Sequence, residues 1–184
     1  ATILETVVDS KDREEIYYFW RNDKHLLERN EFIWGIYQKF IDNPNDENFF
    51  AWIIWNFLLE SIYFYNWFAF FDTLADAWKM VATDRMINYI RRDELTHVTI
   101  FANLIKEIKK EFPEMYSEKL ILEMMDTAVK QEVKWSKHIL WEKIIGMGHE
   151  NIENDTKWLA NERFNMLGIK PLYPDVIKNP YKHL

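Results

Sequence analysis

Apolar residues recur every three to four positions along most of the chain, the spacing of amphipathic helices rather than the alternation of strands. Over 12–41, Ile16, Phe19 and Trp20, then Leu26, Leu27, Ile33, Trp34, Tyr37 and Phe40, predict one or two helices. Asn43-Pro44-Asn45-Asp46 stops them, and Asn45 or Asp46 offers a cap for the next element. The segment 47–79 differs: residues 49–71 are apolar nearly all round, which predicts a fully buried central helix. A turn is expected within 74–83, with Thr83 as N-cap of a helix that runs to about Phe112 and stops at Pro113. Ser117 caps a further helix reaching Ile145, ended by Gly146 and Gly148, and a helix over 152–167 ends at Gly168. Residues 169–184, with Pro171, Pro174 and Pro180, read as an extended tail. Ile3, Leu4, Val7 and Val8 form an apolar stripe with no cap before it, so the chain is expected to begin inside a helix.

Composition agrees with the periodicity. Four glycines and five prolines in 184 residues leave none of the frequent turns a β fold needs. The expected fold is therefore all-α, one domain over 1–184. Acidic residues exceed Lys and Arg by seven and no basic cluster is longer than Arg91-Arg92, which excludes a phosphate-tracking nucleic-acid surface. The absence of cysteine removes disulfides, CxxC zinc sites, iron–sulfur clusters and thiol nucleophiles, and suits a reducing, cytoplasmic location. The run 49–71 is long enough to span a bilayer, but Asn56, Glu60, Ser61 and Asn66 interrupt it, acids flank it and no positive-inside bias appears. No membrane span is expected.

Chemistry concentrates in Asp93-Glu94-Leu95-Thr96-His97, which holds the only E-x-x-H of the chain. On a helix, positions three apart share a face, so the Glu94 carboxylate and the His97 imidazole can converge on one ion. Both belong to the stripe Ile87, Ile90, Glu94, His97, Phe101, Leu104 and Ile108, which places them on the core-facing line. Glu60 stands in a similar stripe, Ile53, Phe57, Glu60, Phe64, Trp67 and Phe71, and is the sole charge between Glu47 and Asp72. A buried carboxylate must be protonated, paired or bound to a metal. Residue 77, midway between Glu60 and Glu94, falls in the expected turn. In an antiparallel pair both acids then lie about 25 Å from that turn, at ~1.5 Å per residue, and so at one height. That is half of a di-metal carboxylate site, in which two helices each give a Glu and two others each give an E-x-x-H. The spacing equally admits core acids satisfied by Arg or Tyr, with His97 packed as a neutral ring. Glu132 is a minor further ligand candidate; His25, His138, His149 and His183 read as surface or packing residues.

At these residues the chain resembles the radical-generating small subunit of class I ribonucleotide reductase. Glu60-Ser61-Ile62-Tyr63-Phe64, with Phe68 four further on, is similar to the family's ligand Glu followed by two phenylalanines. Arg92-Asp93-Glu94-Leu95-Thr96-His97 resembles its R-D-E-x-x-H, and Gln131-Glu132-Val133-Lys134-Trp135 and Asn161-Glu162-Arg163 through Leu167-Gly168 resemble its later helices. The resemblance implies a ferritin-like helical bundle in which Glu60, Glu94 and His97 bind metal. It implies that Phe64 and Phe68, with Ile90 as a possible third wall, line the radical pocket. Asp93 would hydrogen-bond a ligand histidine and join the electron and proton route. The implied cofactor is a pair of iron ions, with manganese or a mixed pair as alternatives.

The family's first ligand carboxylate, its first E-x-x-H and its radical tyrosine all precede the stretch resembling Ala1-Thr2-Ile3-Leu4. The chain is thus expected to be the C-terminal portion of the subunit, completed by its N-terminal half as a separate chain. A homologous copy forming the small-subunit dimer and the large subunit are the other implied partners. The implied activity is O₂ activation to form a protein radical, which the large subunit uses to reduce ribonucleotides to deoxyribonucleotides. Two other classes remain open on the residues alone: another ferritin-like di-metal oxidase or iron-binding protein, and a helical interaction partner without metal.

Overall fold

The computed structural model describes residues 5–6, 8–140, 144 and 146–181. Among them the secondary structure is helical, without strands: α1 (Ser10–Asn22), α2 (Lys24–Asp42), α3 (Asp46–Leu58), a π-helical turn (Leu59–Tyr63), α4 (Tyr65–Asp76), α5 (Val81–Glu111), α6 (Glu118–Leu140) and α7 (His149–Leu167). Of the expected helix at the start of the chain, residues 5–6 are described and helical; the rest of its apolar stripe before Val8, the end of the Ser117 helix at Ile145, and His183 fall outside the described residues.

The chain divides into two compact units, 1–35 and 36–184. In the first, the Asp23 carboxylate accepts from the backbone N–H groups of His25 and Leu26 and so starts α2. No residue of α1 is buried, and Ile16, Tyr17, Phe19 and Trp20 are all exposed.

In the second unit α3 lies against α5 and α6, α4 folds back along α5, and α7 packs on α6 and α5. The Asn45 side chain caps α3 through the Asn48 N–H at 2.9 Å, as its place after Pro44 predicts. Ser117 caps α6 through Leu120 at 3.2 Å. Gly168 ends α7 at φ 70°, a conformation that costs a side-chain-bearing residue more than glycine. Thr83 is not the cap of α5. The helix begins two residues earlier, after Trp78 and Met80 both take positive φ in the turn.

The expected continuous helix over 47–79 is broken by the π turn. One extra residue in a turn shifts every later position by one. The apolar stripe therefore leaves Phe64, Trp67 and Phe71 and continues through Tyr65, Phe68, Ala69 and Asp72, all buried. Phe64 and Trp67 are exposed instead.

On α5 the buried line runs through Val98, Ala102, Ile105 and Ile108. His97, Ile90 and Leu104, expected to face the core, are exposed, and Glu94 is only half-buried. The helix carries more apolar surface than these elements cover, and periodicity alone does not say which part of a wide apolar face is buried. No described helix is long and apolar enough to cross a membrane.

The core also holds polar groups. Glu132 is fully buried and its Oε1 accepts from Asn66 at 3.3 Å and from Ser136 at 3.1 Å; Asn66 also donates to Thr156 at 3.1 Å. This places Glu132 in a polar network of α4, α6 and α7, and it is not in the group formed by Glu60, Glu94 and His97.

Asp155 is buried on α7, and burial pushes its carboxyl up to about 7, with Asp72 adding to the shift and Arg91 opposing it. A raised carboxyl keeps its proton in the folded state while the unfolded chain releases it near pH 4, so stability falls as pH rises from about 4 to about 7. Asp155→Asn is expected to flatten that fall, by up to about 1.4 kcal/mol per pH unit. Urea melts of both proteins at pH 5 and pH 8 check this, and parallel pH dependence in the two would refute it.

Candidate metal centre

Glu60 sits in the π turn and Glu94 and His97 sit one helical turn apart on α5. The π turn packs directly on α5, which brings the three side chains together. His97 Nδ1 lies 2.9 Å from Glu94 Oε2 and 3.7 Å from Glu60 Oε2. One ligand atom from each residue falls within 4.8 Å of the others, the only such group of three acids, histidines or cysteines among the described residues. Spacing about the turn at 77 thus placed both acids correctly, even though the faces of both helices differ from expectation.

The electrostatics are those of donors crowded together. Partial burial, then the hydrogen-bonding and charge of Glu94, push the Glu60 carboxyl up to about 7, against the opposite pull of His97. The His97 imidazole is raised, chiefly by its contact with Glu94. Two carboxylates and one imidazole supply hard oxygen donors and a borderline nitrogen donor, a set that suits iron or manganese. A divalent cation among them would offset the repulsion between the two acids. The donor set fits a metal ion on chemical grounds, and its openness leaves room for further ligands: about a quarter of the Glu60 side chain and half of the His97 side chain remain exposed.

The other expected site residues differ in burial. Phe68 is buried, 5.2 Å ring to ring from Tyr65 and beneath the Arg91 guanidinium at 5.4 Å. Phe64 and Ile90 are 41% and 44% exposed. Asp93 points outward and its partner is Arg92, at 3.9 Å, with both side chains more than two-thirds exposed.

Sequence reading missed a second polar group beside Phe68. Arg91 pairs with Asp72 at 2.5 Å and donates to Asn88 at 3.2 Å, and α7 buries Asp155 and Arg163 close by. The signal was present: Asp155 and Arg163 interrupt the apolar stripe Ile152, Leu159, Leu167 of α7.

Comparison with known proteins gives one consistent result. The family described as "Ribonucleotide reductase, small chain" matches residues 1–180. The ribonucleoside-diphosphate reductase subunit beta of Halalkalibacterium halodurans is 40% identical over 98% of this chain and 53% of its own length. That of Treponema pallidum is 35% identical over 93% of this chain and 50% of its own length. A ribonucleotide reductase R2 subunit from Clostridium botulinum superposes with a TM-score of 0.91 at 45% identity, covering 97% of this chain and 57% of the other. The chain spans about half the length of these relatives.

Proposed function

Because the chain belongs to the ribonucleotide reductase small chain family, we propose that it contributes half of the ligands to the di-metal centre of a ribonucleotide reductase small subunit. The single observation that carries the proposal is the convergence of Glu60, Glu94 and His97 from two packed segments. The ferritin-like fold of its structural relatives supports it, since that bundle builds di-metal sites from this kind of donor on facing helices.

In this reading Glu60 and Glu94 hold negative charge at the ions and His97 presents a nitrogen donor. When bound, a pair of iron ions, or manganese, supplies the activation of O₂ and the one-electron oxidising power that side chains lack. Phe68 and Phe64, with Ile90, exclude water from that region once further helices cover the open face of α5. Asp93 accepts a hydrogen bond from a ligand histidine outside residues 1–184 and fixes its orientation.

The remaining ligands come from helices beyond these residues, whether on a separate chain or on the same polypeptide. Members of the family pair with a large subunit and form dimers, and we extend both partners to this chain. The large subunit would reduce ribonucleotides with the radical formed here. A cysteine-free chain suits the cytoplasm.

Reconstitution of the assembled protein with Fe²⁺ or Mn²⁺ under air, followed by metal analysis, tests the reading. Two ions per site are expected. Fewer than one would leave a helical partner that binds no metal pair.

A further inference from the structure

Arg163 on α7 is buried, yet none of the described carboxylates pairs with it. Its Nε donates to the Ser61 carbonyl oxygen at 3.4 Å and an Nη lies 3.7 Å from the Met166 sulfur, both long contacts. The Tyr65 ring lies 4.9 Å from its guanidinium carbon. A guanidinium carries five N–H donors, and a buried cation without a counter-ion is costly.

A cavity of about 420 Å³ opens beside this group. Arg91 and Arg92 of α5 stand on one wall, and Tyr65, Leu95, Trp158 and Leu159 give it a largely apolar and aromatic lining. Glu162 acts on Arg163 through its charge, without an ion-pair contact to it. Arg91 is held by Asp72 and Arg92 lies against Asp93. Asp155 and Glu162 also line the cavity; Asp155 is buried with its Oδ1 lacking a hydrogen-bond partner, and Glu162 accepts from Asn165 at 3.4 Å. These two acids repel a dianion such as phosphate more strongly than a monoanion, and Arg163, which none of the described carboxylates contacts, has N–H donors to offer one carboxylate.

We propose that this cavity binds a carboxylate carried on a small apolar or aromatic body, with the carboxylate on Arg163 and the body against Trp158 and Tyr65. The carboxylate is either that of a free small molecule or an acidic side chain from outside residues 1–184. The site does not depend on the metal reading, since none of the three candidate ligands lines it.

Benzoate is the probe, with neutral benzamide as control, titrated into the assembled protein by NMR and soaked into its crystals. Saturable benzoate binding, weakened at least tenfold in Arg163→Met and no more than about threefold in Arg163→Lys, assigns a free carboxylate. A protein carboxylate from outside this chain seated on Arg163, with benzoate excluded, assigns the side chain. The lysine variant keeps the charge if the methionine variant fails to fold. Benzoate binding no tighter than benzamide, binding at crystal concentration only, or an Arg163 contacted by nothing beyond Ser61, Met166, Tyr65 and water would each overturn the proposal.

Discussion

Glu94→Ala in the assembled protein is expected to lower metal content from two ions per site to one or none, and to abolish any tyrosyl radical signal. Glu94 is the closest neighbour of His97, at 2.9 Å, and within reach of Glu60, so its loss removes the central donor of the three. Changes to groups that only support ligands cost ~10–100-fold in metal affinity, so losing a ligand is expected to cost more than ~100-fold. The fold itself should barely notice. Glu94 is half-buried at an open face, and such a substitution stays near ~1 kcal/mol, or about 2–4 °C in melting temperature of the metal-free protein. That contrast separates loss of a ligand from loss of structure. Metal analysis and EPR on purified wild type and variant make the test, and unchanged metal content with an unchanged signal would remove Glu94 from the ligand set.

Phe57→Ala is expected to destabilise the second unit by about 3–5 kcal/mol. Phe57 has no exposed surface and lies in α3 three residues before Glu60, among Ile53, Ile54 and Leu58, which are equally buried. Truncation leaves a ring-sized void that a packed interior closes only in part. At about 2–4 °C per kcal/mol the melting temperature of the metal-free protein should fall by roughly 6–20 °C. Metal loading should fall with it, because Phe57 packs the helix from which the π turn presents Glu60. Thermal and urea melts followed by circular dichroism check this; a loss under ~1 kcal/mol would mean that α3 is not the core element its burial implies.

Much of both the fold and the site is legible in the residues. Asn45 and Ser117 announce the starts of α3 and α6, Pro113 and Gly168 the ends of α5 and α7, and each acts where its side chain or backbone preference puts it. The meeting of Glu60 with Glu94 follows from two long apolar segments and a short turn between them, because equal distances from a turn give equal heights along an antiparallel pair. Which way each residue faces was less legible. The π turn offers no pattern in Leu59–Tyr63 that marks it, and one inserted residue was enough to exchange Phe64 and Trp67 for Tyr65 and Asp72 in the core.

Periodicity, caps and breakers along the chain were enough to indicate helices, the starts and stops of most of those described, and a common height for Glu60 and Glu94. Those follow from local preferences and from spacing, which are properties of neighbouring residues along one chain. The register after Tyr63, the open face of α5 that carries Ile90 and His97, and the burial of Arg163 with no ion pair to a described carboxylate came from packing between elements. Each depends on which surface another element covers, and burial is settled by a packing partner rather than by the periodicity of the helix being packed.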